Sequence, residues 1–464
     1  MIESNCTNKQ RIHPKKSHIL NVFVGILLAI TEYKPNDAGG LFMTNQSIER
    51  VNQAIEELWD EQLLFLKSLT SFKSTLGNEA QVQHFIRHQL DDMKLETNAF
   101  DPDPERLRKY ENYGPPEWDY TNRPVIVGEW KNDGKKTGKS LILQGHIDVV
   151  SAEPEHLWTH APYQPAIVEN RLYGRGAVDM KGGVSAMVYA LKAIQKSGIQ
   201  LGADVQIQTV IEEECTGNGA LALLDAGYVA DGALIPEPTN LQAMKTQLGV
   251  MWVRVNVRGQ GAHVERAERA QNAINKASKL IAALDDYREH INQRPKHKHF
   301  ENHAHPLNVN VGVIHGGDWA SSVPTECYFE ARIGFYPDQK PEEIQAEVKQ
   351  WILDAAAKDE WLKEQPPTVS FFGFSAPGRE EEGDTELYDV LEKAHIATTG
   401  TELQRLAFTA TTDVRAFEEF GIPSTCYGPT GENMHGVDEY IDLDSLKTAT
   451  KTIGAFILDW CQEN

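Results

Sequence analysis

The chain has 464 residues, of which 41% are hydrophobic and 24% are charged, and its formal net charge is −22. This composition predicts a globular protein of about two or three domains, and the absence of a short repeat excludes collagen, coiled-coil and solenoid folds. So acidic a chain is a poor nucleic-acid binder, because a phosphate backbone requires a basic surface.

The cysteines are few and widely spaced, with no C-x-x-C pair. An odd number at such spacing argues against a disulfide framework and against a thiolate zinc site. The pattern therefore predicts a cytoplasmic protein, with no membrane association of the mature chain. The five cysteines are Cys6, Cys215, Cys327, Cys426 and Cys461.

Residues 1–42 differ from the rest of the chain. The apolar run Ile19–Ile30 follows Lys15 and Lys16, which outlines a signal peptide, but the run is too short to span a membrane and no A-x-A site follows it. The Ala-Gly-Gly stretch before Met43 can be encoded by a purine-rich ribosome-binding site. We expect residues 1–42 to be an upstream extension from a misplaced start, with a signal-like segment as the alternative.

Strands and helices alternate in the next two hundred residues. The run LILQGHIDVV is almost continuously apolar, which is typical of a strand buried on both faces of a parallel sheet. The alternation predicts a doubly wound α/β domain. The predicted helices are 46–68, 78–93, 182–196 and 217–227, and the predicted strands are 141–150, 204–211 and 232–235.

The pattern changes at Gly249. Strands with alternating hydrophobicity are predicted at 250–259, 308–317, 326–337 and 367–374, with helices at 267–290 and 342–357. The order β-α-β-β-α-β is ferredoxin-like. We predict a lid or dimerisation domain at 249–374, inserted between the two parts of a catalytic domain, 43–248 and 375–464.

Polar residues follow the predicted strands of the catalytic domain. His146 and Asp148 lie at the end of the buried strand 141–145, where open α/β sheets collect their catalytic groups. Residues two apart in an extended chain project to the same side, so Asp148 is positioned to hold the tautomer of His146. By itself, this pair could equally be an ordinary histidine at a strand end.

Acidic residues occupy the corresponding places after other elements. Asp179 lies in a glycine-rich run that is not G-x-G-x-x-G, and it suits either a helix N-cap or a metal ligand. Three glutamates, 212–214, follow the strand 204–211 and are costly there unless neutralised or solvated. Glu237 stands between two prolines, and His435 lies in a glycine-rich loop.

Two histidines and several carboxylates without a thiolate suit zinc or a related ion that keeps open positions. One carboxylate that bridged two ions would give a two-metal hydrolase centre.

A series of motifs carries a resemblance over nearly all of residues 48–460. The chain resembles the aminoacylase/acetylornithine deacetylase/succinyl-diaminopimelate desuccinylase/carboxypeptidase G family of di-zinc amidohydrolases. The motifs are GHIDVV, GRGAVDMKGG, EEE, PEPT, GQGAH, VPTECYFEARIGFYP, TDVRAF and GP…MHGVDEYI.

The resemblance implies a ligand set and a general base. It implies metal ligation by His146, Asp179, Glu214, Glu237 and His435. It makes Glu213 the general base, although three consecutive glutamates leave an ambiguity of one residue. We prefer Glu213 and Glu214 because their spacing to Gly219 matches E-E-x-x-x-x-G.

The resemblance also assigns residues of the inserted domain. It implies that His263 reaches into a partner subunit's site to stabilise an oxyanion and that Arg332 holds a substrate carboxylate. Asp413 and Arg415 match a further motif whose role stays open. Ser321 replaces an asparagine found in many members, which puts a polar contact from that position in doubt.

The expected activity is hydrolysis of an N-acyl amino acid by a homodimer with two Zn²⁺ ions per subunit, for which Co²⁺ can substitute. A dipeptidase or carboxypeptidase is the alternative within the family, and a metal-free nucleotide-binding protein or an inactive interaction protein are alternatives outside it. The histidines of segment 290–305 are expected in an exposed lid loop rather than in a metal site.

Overall fold

The computed structural model describes residues 38–381 and 385–463, with side chains from residue 46 onward. Residues 1–37, which make up most of the predicted extension 1–42 and contain its apolar run, lie outside the described residues. No helix in the described part of the chain combines the length and apolar character needed to cross a membrane.

Strands occur along most of the described part of the chain. The first eight are β1 (Glu96–Phe100), β2 (Val125–Trp130), β3 (Leu141–His146), β4 (Ala166–Val168), β5 (Arg171–Tyr173), β6 (Val205–Val210), β7 (Ala233–Ile235) and β8 (Ala243–Gln247). They are followed by β9 (Gly249–Arg258), β10 (Val309–Gly316), β11 (Glu326–Phe335), β12 (Thr368–Ala376), β13 (Arg379–Glu380), β14 (Arg405–Phe408), β15 (Ser424–Cys426), β16 (Gly431–Glu432) and β17 (Tyr440–Asp442).

The α-helices alternate with these strands. They are α1 (Ala38–Ser71), α2 (Ala80–Asp92), α3 (Pro104–Leu107), α4 (Gly183–Lys196), α5 (Asn218–Asp225) and α6 (Ala273–Asn292). The remaining helices are α7 (Pro341–Ala356), α8 (Glu360–Glu364), α9 (Glu386–Thr399), α10 (Val414–Glu419) and α11 (Leu443–Cys461).

The largest sheet has the strand order β1-β2-β6-β3-β7-β15. Strands β6, β3, β7 and β15 are parallel, whereas β1 and β2 add an antiparallel edge that the sequence pattern did not predict. Every residue of β3 and β6 is buried, which agrees with their apolar runs. The fold is therefore mixed α/β, and β3, β6 and β7 end at one edge of this sheet.

Strand β3 is shorter than predicted. The strand predicted at 141–150 ends at His146. The amide of Ile147 still donates to Val210 O of β6, but the amide of Val149 donates to Ser74 O, outside the sheet. The chain thus leaves the sheet directly after His146. This exit places the residues from 147 onward on the rim of the sheet.

Helices α4 and α11 pack against each other and against β3. A buried hydrogen bond of 2.9 Å from Gln62 Nε2 to Thr450 Oγ1 ties α1 to α11. Helix α4 begins at Gly183, where a Cβ would lie 1.9 Å from Pro236 O. A glycine is required there because the helix start approaches the loop that carries Glu237.

A second sheet, β10-β11-β9-β12, is wholly antiparallel and belongs to residues 249–376. Its elements follow the order β-α-β-β-α-β, with the short α8 added before the last strand. Met251, Val253 and Val255 of β9 are buried in a core shared with α6 and α7, separate from the core of the larger sheet. Trp252 and Arg254 project from the opposite face of β9.

Two small sheets complete the fold, with the orders β13-β8-β14 and β16-β17-β5-β4. Their strands have two to five residues, which is too short for the alternation of hydrophobic residues to reveal them.

One buried carboxylate, of Asp359, ties α6 to α8. Asp359 accepts bonds from Lys276 Nζ (2.8 Å) and Lys279 Nζ (2.7 Å), and it caps α8 through Leu362 N (3.1 Å). Burial alone would raise the pKa of Asp359, but the bonds from the two lysines hold it below its ordinary range.

Asp359→Asn should lower the free energy of unfolding by about 1–3 kcal/mol at neutral pH, because one cap and two charge-assisted bonds are weakened. A carboxylate with a depressed folded pKa stabilises above its unfolded pKa, near about 4, and loses this contribution as the pH falls further. Urea unfolding at several pH values measures the difference. Asp354→Asn, on the exposed side of α7, is the control and should change little. A constant difference down to acid pH would contradict the account.

Candidate metal centre and active site

The candidate site begins with a buried histidine at the end of β3. Nε2 of His146 lies 3.3 Å from Oδ1 of Asp179. Asp179 lies in the turn Ala177–Gly182 that leads into α4, and its peptide bond to Met180 is cis. The strand end and the turn thus bring one imidazole and one carboxylate together.

A second imidazole approaches the other oxygen of the same carboxylate. Nε2 of His435 lies 3.3 Å from Oδ2 of Asp179 and 3.1 Å from the carboxylate of Glu214. His435 comes from the loop after β16, and Glu214 follows β6. Asp179 therefore stands between two histidines, with one oxygen facing each.

Two further glutamates line the His146 side of the cluster. Oε1 of Glu237 lies 3.8 Å and Oε2 of Glu213 lies 3.9 Å from His146 Nε2. Both side chains are buried. Because Glu213 and Glu214 are consecutive, one faces His146 and the other faces His435.

The cluster is strongly charged, with His146, Glu213 and Glu237 buried and His435 exposed at its outer side. Burial raises the pKa of Glu237 to about 8 and the pKa of Glu213 well above its ordinary range. The charge of Glu214 raises the pKa of His435 to about 11. Burial alone would raise the pKa of Asp179, but the bonds from His146 and His435 lower it below the usual range.

Two groups of donor atoms, which share His146, could each hold a metal ion. The nearest donor atoms of His146, Glu213 and Glu237, and those of His146, Asp179 and Glu214, lie within 4.8 Å of one another. No ion pair of these carboxylates, among the described residues, is to a lysine or an arginine. Buried carboxylates are costly unless neutralised, and imidazole with carboxylate is the donor set of zinc and related ions.

The first glutamate of the run points away from the cluster. Glu212 adopts φ 68°, and its carbonyl oxygen accepts the amides of residues 215–217, which reverses the chain after β6. Its buried carboxylate accepts bonds from a guanidinium, an indole N–H and two hydroxyl groups. They are Arg123 Nη1 (2.6 Å), Trp118 Nε1 (2.5 Å), Tyr120 OH (2.7 Å) and Thr216 Oγ1 (2.7 Å).

Glu212→Gln should destabilise the protein by about 3–5 kcal/mol, because it leaves Arg123 with Glu79 as its one carboxylate partner among the described residues and places an amide among hydrogen-bond donors. Metal content should stay at the wild-type value below the melting temperature. Calorimetry and metal analysis measure the two quantities. A stable variant that lost its metal would show that Glu212, and not Glu214, is the ligand.

The arrangement of Asp148 differs from the prediction. His146 Nδ1 bonds the backbone oxygen of Asp148 at 3.0 Å, while the carboxylate lies farther away, at 3.7 Å. The carboxylate instead accepts the amides of Glu213 (3.3 Å) and Glu214 (3.1 Å). The expected i, i+2 alignment fails because the strand ends at His146. Asp148 thereby positions both glutamates.

A positioning residue that the sequence analysis missed is Glu439. Its buried carboxylate bonds Arg175 Nη1 (2.6 Å) and accepts the amides of Gly176 (3.0 Å), Val178 (3.1 Å) and Asp179 (3.3 Å). These bonds fix the turn that presents Asp179. Its place four residues after His435, in the same motif, was the available signal.

Asp413 and Arg415, whose role stayed open, pack behind the cluster. Asp413 Oδ2 accepts a bond of 2.8 Å from buried Gln144, and burial raises its pKa. Arg415 donates to Thr216 O at 3.1 Å, where Gly217 leaves it room, since a Cβ there would lie 2.0 Å from Nη2. Arg415 therefore braces the chain that follows Glu214, whereas Asp413 is tied to β3.

The two predicted residues of the inserted domain do not contact the cluster within the described part of the chain. His263 is exposed, caps the turn Val264–Arg269, and forms an isolated bridge with Ser322. Arg332 is half-buried on β11, with its Nη2 3.5 Å from Thr409 O. Burial lowers the pKa of Arg332 to about 10.

The histidines of segment 290–305 do not form a group of metal donors in the described residues. His297 and His299 instead contact Glu380 of β13 at 3.2 Å and 2.9 Å, and His290 stacks on Trp351. The segment is therefore attached to β13 by these ion pairs and is not a wholly exposed loop.

Comparison with known proteins gives the class. Residues 142–459 match the model of peptidase family M20/M25/M40, so the chain belongs to this family. The resemblance drawn from the motifs is confirmed at this level, and the chain is a hydrolase of the M20 family.

Two curated relatives are more specific. The chain is 30% identical over 436 residues to the N-formyl-4-amino-5-aminomethyl-2-methylpyrimidine deformylase of Halalkalibacterium halodurans, covering 89% of this chain and 97% of the relative. It is 27% identical over 444 residues to the enzyme of the same name from Bacillus subtilis, covering 90% and 98%.

Solved structures show the same fold. A dipeptidase, Dug1p, from Saccharomyces cerevisiae has a TM-score of 0.74 at 14% identity, covering 89% of this chain and 98% of that one. Human carnosine dipeptidase 1 has a TM-score of 0.71 at 18% identity, covering 89% and 100%. A dinuclear metal-binding M20 peptidase from Bacillus subtilis has a TM-score of 0.54 at 14% identity, covering 88% and 100%.

Proposed function

We propose that the protein hydrolyses a linear amide bond in a small N-acyl compound at a dinuclear metal centre. The observation that carries this proposal is the place of Asp179, whose two oxygens face His146 and His435 at 3.3 Å each. A carboxylate so placed suits the bridging ligand of a two-metal site. Glu237 would complete one half of the centre, and Glu214 the other.

Two zinc ions are the proposed occupants, with cobalt able to substitute. When bound, such ions lower the pKa of water and polarise a carbonyl oxygen. The chain's own part is to bind the ions and move a proton. In the overall reaction the water oxygen bonds to the acyl carbon and the C–N bond breaks.

Glu213 is the proposed general base. Its carboxylate is buried beside His146 and has no contact with His435. Glu237 lies in the same way, so the choice of Glu213 rests on the spacing of the glutamate run to Gly219 in the family motif. It would take a proton from water at one carboxylate oxygen and deliver it to the leaving nitrogen. The products are a carboxylic acid and an amine.

The two deformylase relatives make a formyl amide the first substrate to test. They match almost their whole length, so the proposed substrate is an N-formyl aminomethyl heterocycle of the kind their names state. An N-acyl amino acid is the second candidate. It is favoured by Arg332, a half-buried guanidinium with no carboxylate partner among the described residues.

We also propose a homodimer formed through the inserted domain. Strand β10 is an edge strand whose residues are mostly exposed, and an uncovered edge with apolar side chains calls for a partner. Ile314 on this strand is 50% exposed, and Trp319 in the loop that follows it is 72% exposed. His263, exposed and remote from its own cluster, would serve the neighbouring site, and a two-fold interface would make the arrangement mutual.

The alternative of a metal-free nucleotide-binding protein depends on the glycine-rich turns at 174–183 and 428–431, and both turns have another role in the structure. The run 174–183 positions Asp179 through Glu439, and the loop from Gly428 packs against Pro236 and Glu237. Both turns therefore serve the cluster.

The test is a hydrolysis screen of the zinc-loaded protein. N-formyl-4-amino-5-aminomethyl-2-methylpyrimidine, N-formyl, N-acetyl and N-succinyl amino acids, and dipeptides are each incubated, and the released amine is quantified. We expect release from the N-formyl compounds, with the pyrimidine preferred. Release from dipeptides alone would replace the proposal by the dipeptidase alternative, and no release from any amide would overturn it.

A further inference from the structure

One row of side chains crosses the open face of the antiparallel sheet. The strand register pairs Asn310 with Arg332, Arg332 with Trp252, and Trp252 with Phe372, one from each strand in the order β10-β11-β9-β12. All four residues line one cavity of about 180 Å³. The volume equals about six water molecules, which is room for a single small ring.

The row has an aromatic end and a polar end. The rings of Trp252 and Phe372 lie 5.6 Å apart and are tilted by 57°. Arg254, which bonds Glu330 and Glu117, covers Phe372 at 4.3 Å. At the other end, Arg332 and Asn310 present hydrogen-bond donors and one amide oxygen. The cavity thus offers an aromatic surface beside a planar cation.

The row lies beside the chain that carries the candidate base. Phe374 meets Trp252 edge-on at 5.4 Å and lies 5.4 Å from the guanidinium of Arg415. Arg415 in turn bonds Thr216 O, two residues after Glu214. Arg332 contacts Thr409 O on the segment that leads to Asp413. The sheet face with the row therefore adjoins the two segments that brace the cluster.

We infer that this row binds the planar ring of the substrate's amine portion, with the ring against Trp252 and a ring nitrogen accepting a bond from Arg332. The inference rests on the proposed function for the position of the scissile amide. Aromatic faces and Arg332 together suit a nitrogen heterocycle, whose π-system stacks and whose ring nitrogens accept hydrogen bonds. A saturated ring offers neither interaction.

Trp252→Leu tests the row, since it keeps apolar volume and removes the aromatic face. Phe371→Leu is the matched control, because Phe371 lies on the same sheet but packs in the core shared with α6 and α7. The substrates are N-formyl-4-amino-5-aminomethyl-2-methylpyrimidine and N-formyl-cyclohexylmethylamine, which has a saturated six-membered ring. KM and kcat are measured for both with the zinc-loaded enzyme.

We expect Trp252→Leu to raise KM for the pyrimidine about tenfold or more and to change KM for the cyclohexyl compound less than about twofold. Phe371→Leu should change neither KM. Equal losses on both substrates, or no loss on the pyrimidine, would overturn the inference.

Calorimetric titration with the free amine, 4-amino-5-aminomethyl-2-methylpyrimidine, separates this inference from the proposed function. Binding to the wild type that is lost in Trp252→Leu supports the row even if no amide is hydrolysed, in which case the proposed function fails alone. Amide hydrolysis without any binding of this amine to the wild type keeps the function and overturns the row.

Discussion

Glu213→Gln should retain the bound metal and lower kcat about a thousandfold. The amide of glutamine fills the same buried place beside His146 but cannot accept the proton of water, and a positioned base contributes about 10²–10⁴-fold. Metal content by mass spectrometry and the rate of amide hydrolysis are measured on the same sample. KM should change much less than kcat, since the ligand set is intact.

The neighbouring glutamates provide matched controls for this result. Glu214→Gln should lose metal together with activity, because its carboxylate contacts His435 and belongs to the proposed ligand set. Glu212→Gln should keep metal and kcat but unfold more easily. If Glu213→Gln loses metal while Glu214→Gln keeps it, the assignment of the run is wrong by one residue.

Two inactive variants should restore each other's activity when their subunits are exchanged. Glu213→Gln lacks the base, and His263→Ala lacks the exposed histidine that we propose acts in the partner's site. In a mixed dimer, one site combines an intact Glu213 with an intact His263 from the partner. Equal mixing should therefore recover roughly a quarter of the wild-type rate, because half of the dimers are mixed and each has one complete site.

The exchange must be verified by native mass spectrometry before the rate is interpreted. Mixed dimers that stay inactive would contradict the action of His263 across the interface. A monomer with full activity would contradict both the dimer and this role, and His263 would then be only the cap of the turn Val264–Arg269.

The candidate cluster could be predicted from sequence because the carboxyl ends of parallel strands share one edge. His146 ends β3, Glu213 and Glu214 follow β6, and Glu237 follows β7. Residues directly after the carboxyl ends of neighbouring parallel strands lie close together regardless of the conformation of the connecting loops. Local pattern alone left Asp179 as either an N-cap or a metal ligand and favoured a structural role for His435 over metal ligation. The resemblance to the family then implied metal ligation by both.

The remaining features depend on contacts between distant segments. The sequence does not distinguish the role of Glu212 from that of Glu213. The contacts of Arg123 and Tyr120 with the Glu212 carboxylate, which come from a distant segment, make the distinction. The backbone oxygen of Asp148 lies nearer to His146 than its carboxylate does, because the strand ends there, and periodicity does not show where a strand ends. The row that crosses the antiparallel sheet needs the register of four strands, and a shift of one residue would turn Trp252 to the other face.

The central claim is that amide hydrolysis depends on a two-metal centre built from His146, Asp179, Glu214, Glu237 and His435. The direct measurement is a zinc titration of chelator-treated protein, with bound metal and hydrolysis of the N-formyl pyrimidine followed in the same sample. The account predicts that activity rises with occupancy and levels off at about two ions per chain. Full hydrolysis by protein that holds no metal would contradict it.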